Sequence, residues 1–213
     1  MKKIALFIFI SMAFINPLKA QRYFFPYGKP NAPIQTDTPQ YHFPLFKSYD
    51  DVTPDTGRVK HYSEQLTALN EPVIYVDRTH FRIFRLIWLR SADHPIAIRV
   101  MKQDNQYLLY WKEADGTGEG KPGKLITDKQ KAISGSNYMA FRKLLKQVNT
   151  CKLDTDRYIP AGTHGSQWIV EGKEGGIYEI VDMWSPGKSN AMYKACDYLI
   201  GLTDLAIAPE RKY

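Results

Sequence analysis

The strongest constraint on the fold lies between residues 81 and 113. There, three β-branched and aromatic runs, Phe81 to Arg90, Pro95 to Lys102 and Gln106 to Glu113, are separated only by turn residues. Asp104-Asn105 suits a two-residue primed turn, and the other linker is also short, so the three runs predict an antiparallel meander. Matching apolar residues across the strands sets the register. Trp88 faces Ile96, Leu86 faces Ile98 and Phe84 faces Val100; Val100 then faces Leu109, and Ile98 faces Trp111. Both hairpins agree on one core face.

The same registers fix what lies on the opposite face. Arg85 stands against Arg99, with Ile83, Ile87, Leu89 and Met101 around them and Tyr110 beside Arg99. Two like charges in apolar surroundings need compensation. The chain offers Glu171, Asp182 or Glu113 for this, with Arg99 stacking on Tyr110. The functional reading of the pair is an external anion or a partner's carboxylate held by both guanidiniums.

A second hairpin is expected in Ser166 to Pro186. Trp168 to Val170 makes one strand, Ile177 to Trp184 the other, and Gly172 to Gly176 the connection. Glu171 and Asp182 interrupt these apolar runs. Apolar stripes at helical spacing predict three helices: Gly57 to Leu69, Ser136 (as cap) to Val148, and Asn190 to Leu205. Asp115 to Leu125 reads as a flexible loop. Its Gly118 to Lys124 has the G-x-x-x-x-G-K spacing of a phosphate loop, but Leu125 stands where the hydroxyl belongs and a strand-like run follows.

At the amino end, Lys2 and Lys3 precede the apolar run Ile4 to Ile15, and Ala20 offers a small residue for cleavage: the layout of a secretory signal over residues 1–20. Twelve apolar residues are too few to cross a hydrocarbon core of about 30 Å. The expected location is therefore exported, periplasmic or secreted in a bacterium, with no stable membrane insertion once the signal is removed. Cleavage removes Lys2, Lys3 and Lys19 and no acid, lowering the formal charge from +7 to +4. That excess is mild, and no basic run with interleaved aromatics tracks phosphates, so nucleic acid is not an expected partner. Residues 21–47, rich in proline and aromatics, read as an extended arm that is either a linker or a docking segment. A single domain is expected over 48–207, with 208–213 as a tail.

In an oxidising compartment Cys151 and Cys196 can form one disulfide; the alternative is a buried Cys196 and an unpaired Cys151. No metal or cofactor motif is present: the five histidines lack ligand spacing, and Ser185 in W-S-P lacks the glycines of a nucleophile elbow. A carboxylate pair such as Glu171 and Asp182 could serve hydrolysis of a sugar bond, the other reading being that both are arginine partners.

Six ordered motifs, L-T-A-L-N-E-P (66–72), the strands F-R-I-F-R-L-I-W-L-R-S and H-P-I-A-I-R-V (81–100), P-G-K-L-I (122–126), W-I-V-E-G (168–172), Y-E-I-V-D-M-W-S-P (178–186) and C-D-Y-L-I-G-L-T (196–203), resemble an uncharacterised group of bacterial exported proteins. The resemblance spans about residues 58 to 205 and implies kinship without an activity. The expectation is a single α+β domain, an antiparallel sheet of about five to seven strands under two or three helices. Its expected function is non-enzymatic, binding a protein partner or an anionic ligand through Arg85, Arg99, Glu171, Asp182 and Trp184. The alternatives are an envelope hydrolase using paired carboxylates, and a charged cluster that is purely structural.

Overall fold

The structure, a computed structural model, describes residues 25–26, 42–43, 56–76, 81–150 and 165–212. The signal reading of residues 1–20, most of the arm, and Cys151 lie outside the described residues. The elements are β1 (Phe25–Pro26), α1 (Thr56–Ala68), β2 (Arg82–Arg90), β3 (Ile96–Gln103), β4 (Gln106–Gly116), β5 (Pro122–Ala132), α2 (Gly135–Thr150), β6 (Ser166–Glu174), β7 (Ile177–Trp184) and α3 (Ala191–Gly201). Six long antiparallel strands, with the two-residue β1 at one edge, form a sheet in the order β1-β7-β6-β2-β3-β4-β5. This is a single α+β domain.

The meander has the registers that its apolar pattern dictates: Trp88↔Ile96, Phe84↔Val100, Val100↔Leu109 and Ile98↔Trp111. Asp104 adopts φ 52°, as a primed turn requires. The second hairpin turns at Gly175 (φ 59°) and Gly176 (φ 80°), where glycine takes left-handed backbone without a Cβ penalty. β6 then extends beyond the expected three residues in both directions, because its whole length pairs with β2 on one side and β7 on the other.

The loop expected over Asp115 to Leu125 is mostly strand. β4 continues to Gly116 and β5 starts at Pro122, with register shifts at Ala114 taking up the mismatch. Gly116 has φ 90°, and Gly123 lies so close to Asp115 that a Cβ would collide with its backbone. Glycine therefore makes a close strand approach here, and no phosphate loop forms. The expected last helix is shorter, ending at Gly201 with Leu202 as its cap. Beyond it, Asp204 turns back to bind Trp111 Nε1 at 2.8 Å and Lys129 Nζ at 2.7 Å. Ser134, not Ser136, caps α2, its Oγ accepting from the Asn137 amide at 3.1 Å.

Each face of the sheet carries a core. On one face, Phe84, Leu86, Trp88, Ile98, Val100, Trp111, Trp168 and Val170 pack against α2 and α3. On the other, Ile83, Ile87, Leu89, Ala97, Met101 and Ile169 pack against Val59, Tyr62 and Leu66 of α1. Phe43 is 1% exposed within this second cluster and meets Tyr62 edge-on at 6.0 Å. His42 joins the same region: its amide donates to Ser63 Oγ at 2.9 Å, and its Nε2 lies 3.0 Å from the Glu71 carbonyl. At these two residues the arm is part of the domain, and Phe25 pairs with Tyr178 at the sheet edge. The carboxyl-terminal residues also fold back, with Arg211 3.1 Å from Asp93 and Lys212 2.6 Å from Asp197.

Cys196 is a free thiol on α3, buried in the core of the α2–α3 face, and that burial raises its pKa. Of the two readings of the cysteines, the structure has Cys196 as a small core residue with a free thiol. Among the described residues no helix is long and apolar enough to cross a membrane.

Candidate functional site

The expected arginine pair exists, and both of its members are neutralised from within. Arg85↔Arg99 are directly paired in β2 and β3, and Arg85↔Glu171 in β2 and β6. Arg85 Nε donates to Glu171 Oε1 at 2.6 Å, and its Nη2 pairs with the same oxygen. The other Glu171 oxygen accepts from the Tyr178 hydroxyl at 2.6 Å. Arg99 lies over the Tyr110 ring, 4.2 Å from its centroid, as its position beside that residue implies.

The second carboxylate is Glu71, which the sequence did not suggest. Asn70, at φ 49°, ends α1 in the left-handed conformation, and the Glu71 amide returns to the Leu66 carbonyl at 3.0 Å. That geometry is a helix-terminating turn, and it projects the next side chain sideways over the sheet. Glu71 Oε2 accepts from Arg85 Nη1 at 3.1 Å and from Arg99 Nε at 3.0 Å, while Oε1 lies 3.5 Å from Lys112 Nζ. Arg85 Nη1 also donates to the Pro72 carbonyl at 2.7 Å, and Lys112 Nζ to the Asn70 carbonyl at 2.5 Å. The run L-N-E-P thus supplies a helix stop, a carboxylate and two carbonyl acceptors within four residues.

The centre of this network is closed to solvent, and Arg99 and Lys112 reach its margin. The side chains of Arg85 and Glu171 are 0% exposed and that of Glu71 is 1%. The two carboxylates respond differently to the same burial. Burial pushes Glu71 up, but Arg85, Arg99 and Lys112 together outweigh it and hold the group below its ordinary value. Burial also pushes Glu171 up, and Arg85 and Tyr178 offset only part of the rise, so it stays above. One carboxylate has three cations around it and the other has one. Burial and the adjacent Glu171 carboxylate raise Tyr178 well above the usual phenol value, so it serves as a permanent donor.

Asp182 and Trp184 are elsewhere. Asp182 pairs with Ile169, two residues along β6 from Glu171 and one strand further from Arg85. Its carboxylate accepts from the Tyr62 hydroxyl at 3.0 Å, from Arg58 Nη1 at 3.4 Å and from Gln167 Nε2. It therefore fastens α1 to the sheet edge. Trp184, half-buried at the end of β7, lies against Gly165, where a Cβ would strike the indole. Glu113, the third expected partner, faces His94 Nδ1 at 3.2 Å and Arg90 Nη2 at 3.9 Å.

On the other face, a cleft of 260 Å³ opens between α2 and the β6–β7 hairpin. Its apolar walls include Phe84, Leu145, Val148, Val170 and Val181, and its rim carries Arg142, Lys146, Glu174 and Glu179. Gly172 makes the opening: it pairs with Phe84 on one side and Glu179 on the other, and a Cβ there would lie 2.7 Å from the Phe84 ring. Glu174 is held by two arginines, with Arg82 Nε at 3.0 Å and Arg142 Nη2 at 2.5 Å, and Arg142 stacks 4.4 Å over the Phe84 ring. The alternation of β7 that sends Tyr178 to the charged network sends Glu179 and Val181 to the cleft. Gly172, expected in the hairpin connection, lies inside β6 instead, because the turn is confined to Gly175 and Gly176.

No protein-family model, curated protein or solved structure matches the chain.

Proposed function

We propose that this is an exported, non-catalytic binding protein of the cell envelope, that its buried charge network is scaffold, and that its ligand sits in the cleft between α2 and the β6–β7 hairpin. The observation that carries this reading is the contrast in access. Arg85 and Arg99 already hold Glu71 and Glu171 behind closed packing, whereas Phe84, Val170 and Val181 form apolar walls on a concavity open to solvent. Concave, mostly apolar sites with a few polar groups at the rim are the usual form of small-ligand sites. The carboxylate-pair hydrolase gains no support, because Glu171 and Asp182 have separate partners and Glu171 has no water-facing side.

The test is a thermal-shift screen of small amphiphiles against the wild type and Val181→Trp, whose indole fills the cleft. A ligand at a hundredfold excess over its Kd stabilises by about 2.7 kcal/mol. For a chain of this size that is roughly 5–10 °C. Hits should shift the wild type and leave the filled variant unmoved. Equal shifts in both would reject the cleft as the binding site.

A further inference from the structure

The rim of the cleft carries two cations and two carboxylates, but they are not equally occupied. Glu174 is shared by Arg82 and Arg142. Arg142 is further committed to the Phe84 ring, and Lys146 has an interaction of its own. Glu179 differs: half-buried beside Gly172 and between Ile177 and Val181 on the cleft side of β7, its carboxylate has no hydrogen bond or ion pair among the described residues. A carboxylate at the edge of an apolar cavity gains most from a cation whose body fills that cavity, since the ion pair then forms where water is partly displaced.

We propose that the cleft binds a small organic ammonium ion: the cationic nitrogen on the Glu179 carboxylate and an apolar body against Phe84, Leu145, Val170 and Val181. This rests on the cleft being the ligand site. The volume of 260 Å³ lies just under the ~300–1,000 Å³ of pockets that hold drug-sized molecules, so the body is a short chain or a single ring. Gly172 is the specificity element: a side chain there would meet the Phe84 ring and close the space opposite Glu179.

Three probes of equal length separate charge from apolar fit: hexylammonium, hexanol and hexanoate, titrated calorimetrically into the full chain. The expected order is hexylammonium tightest, with hexanol at least about tenfold weaker and hexanoate weakest. Glu179→Gln should abolish the preference for ammonium over alcohol while leaving hexanol affinity unchanged, which also shows that the variant is folded. Glu179→Asp should keep the preference in reduced form. If hexanol or hexanoate binds the wild type as tightly as hexylammonium, or if Glu179→Gln keeps the preference, the charge assignment is wrong and the cleft stands. If none of the three binds, or if Val181→Trp binds hexylammonium as the wild type does, the cleft itself is wrong and the inference goes with it.

Discussion

The two faces of the sheet are made by the same strands and are stabilised in different ways. Stepping one residue along β2, β3 and β6 exchanges Leu86, Ile98 and Val170 for Arg85, Arg99 and Glu171. Toward α2 and α3 the contacts are apolar; their strength depends on area and fit, and many partners of similar volume would serve. Toward α1 the same depth of burial holds charges, and a buried charge tolerates only partners placed to within hydrogen-bonding distance. Glu71 meets that demand from the turn that ends α1, so the network fixes how that helix ends as well as where it lies. Both faces are held by apolar burial, and the α1 face adds a charge network whose partners must stand within hydrogen-bonding distance.

The largest effect that could break this contrast comes from unpairing the network. Arg85→Met alone should cost about 3–5 kcal/mol, because it leaves Glu171 buried without a cation; Glu171→Gln alone should cost less, because Glu71 still holds Arg85. The double variant should recover part of that loss, with a coupling above about 1 kcal/mol in urea unfolding. Phe141→Ala, in the opposite core, should cost a similar amount, about 3–5 kcal/mol. Combined with Arg85→Met it should be additive within ~0.5 kcal/mol. Additive behaviour inside the network would mean that the charges act independently.

A somewhat smaller effect concerns the arm. Phe43 is buried against Tyr62, so Phe43→Ala should cost about 3 kcal/mol, and the melting temperature should fall by roughly 6–12 °C. Deletion of residues 21–45 should do at least as much damage. A truncated chain that melts at the wild-type temperature would return the whole arm to the role of linker.

The smallest effect is in the pH profile. Glu71 is held below the ordinary value of 4.5, so its contribution is fully present above that value and is lost as pH falls through the folded one. The stability gap between wild type and Glu71→Gln should therefore narrow as the pH is lowered below 4.5. Glu171, held above its ordinary value, has the opposite sign: it disfavours the fold increasingly as pH rises through its folded value. Denaturant unfolding of both glutamine variants across the acid range separates the two. Parallel pH profiles for wild type and Glu71→Gln would remove the electrostatic distinction between the carboxylates.

What the sequence by itself determined is local pairing. Alternation with a period of two, together with short turns, set Val100 against Leu109, and the same alternation then had to put Arg85 against Arg99. Stripes at helical spacing located all three helices, although α3 stops four residues earlier than its stripe suggested. What only the tertiary structure decided is which distant groups answer those charges. Strand order is not encoded in any one hairpin: with β6 beside β2 and β7 beyond it, Glu171 faces Arg85 and Asp182 is carried one strand away to Arg58 and Tyr62. Glu71 stands 14 residues before Arg85 and 28 before Arg99, on a turn whose composition reads as an ordinary helix stop. It becomes a core residue only when α1 lies down on the sheet. Hydrogen-bonding partners of a buried charge are chosen by proximity in three dimensions, and spacing along the chain carries no trace of that choice.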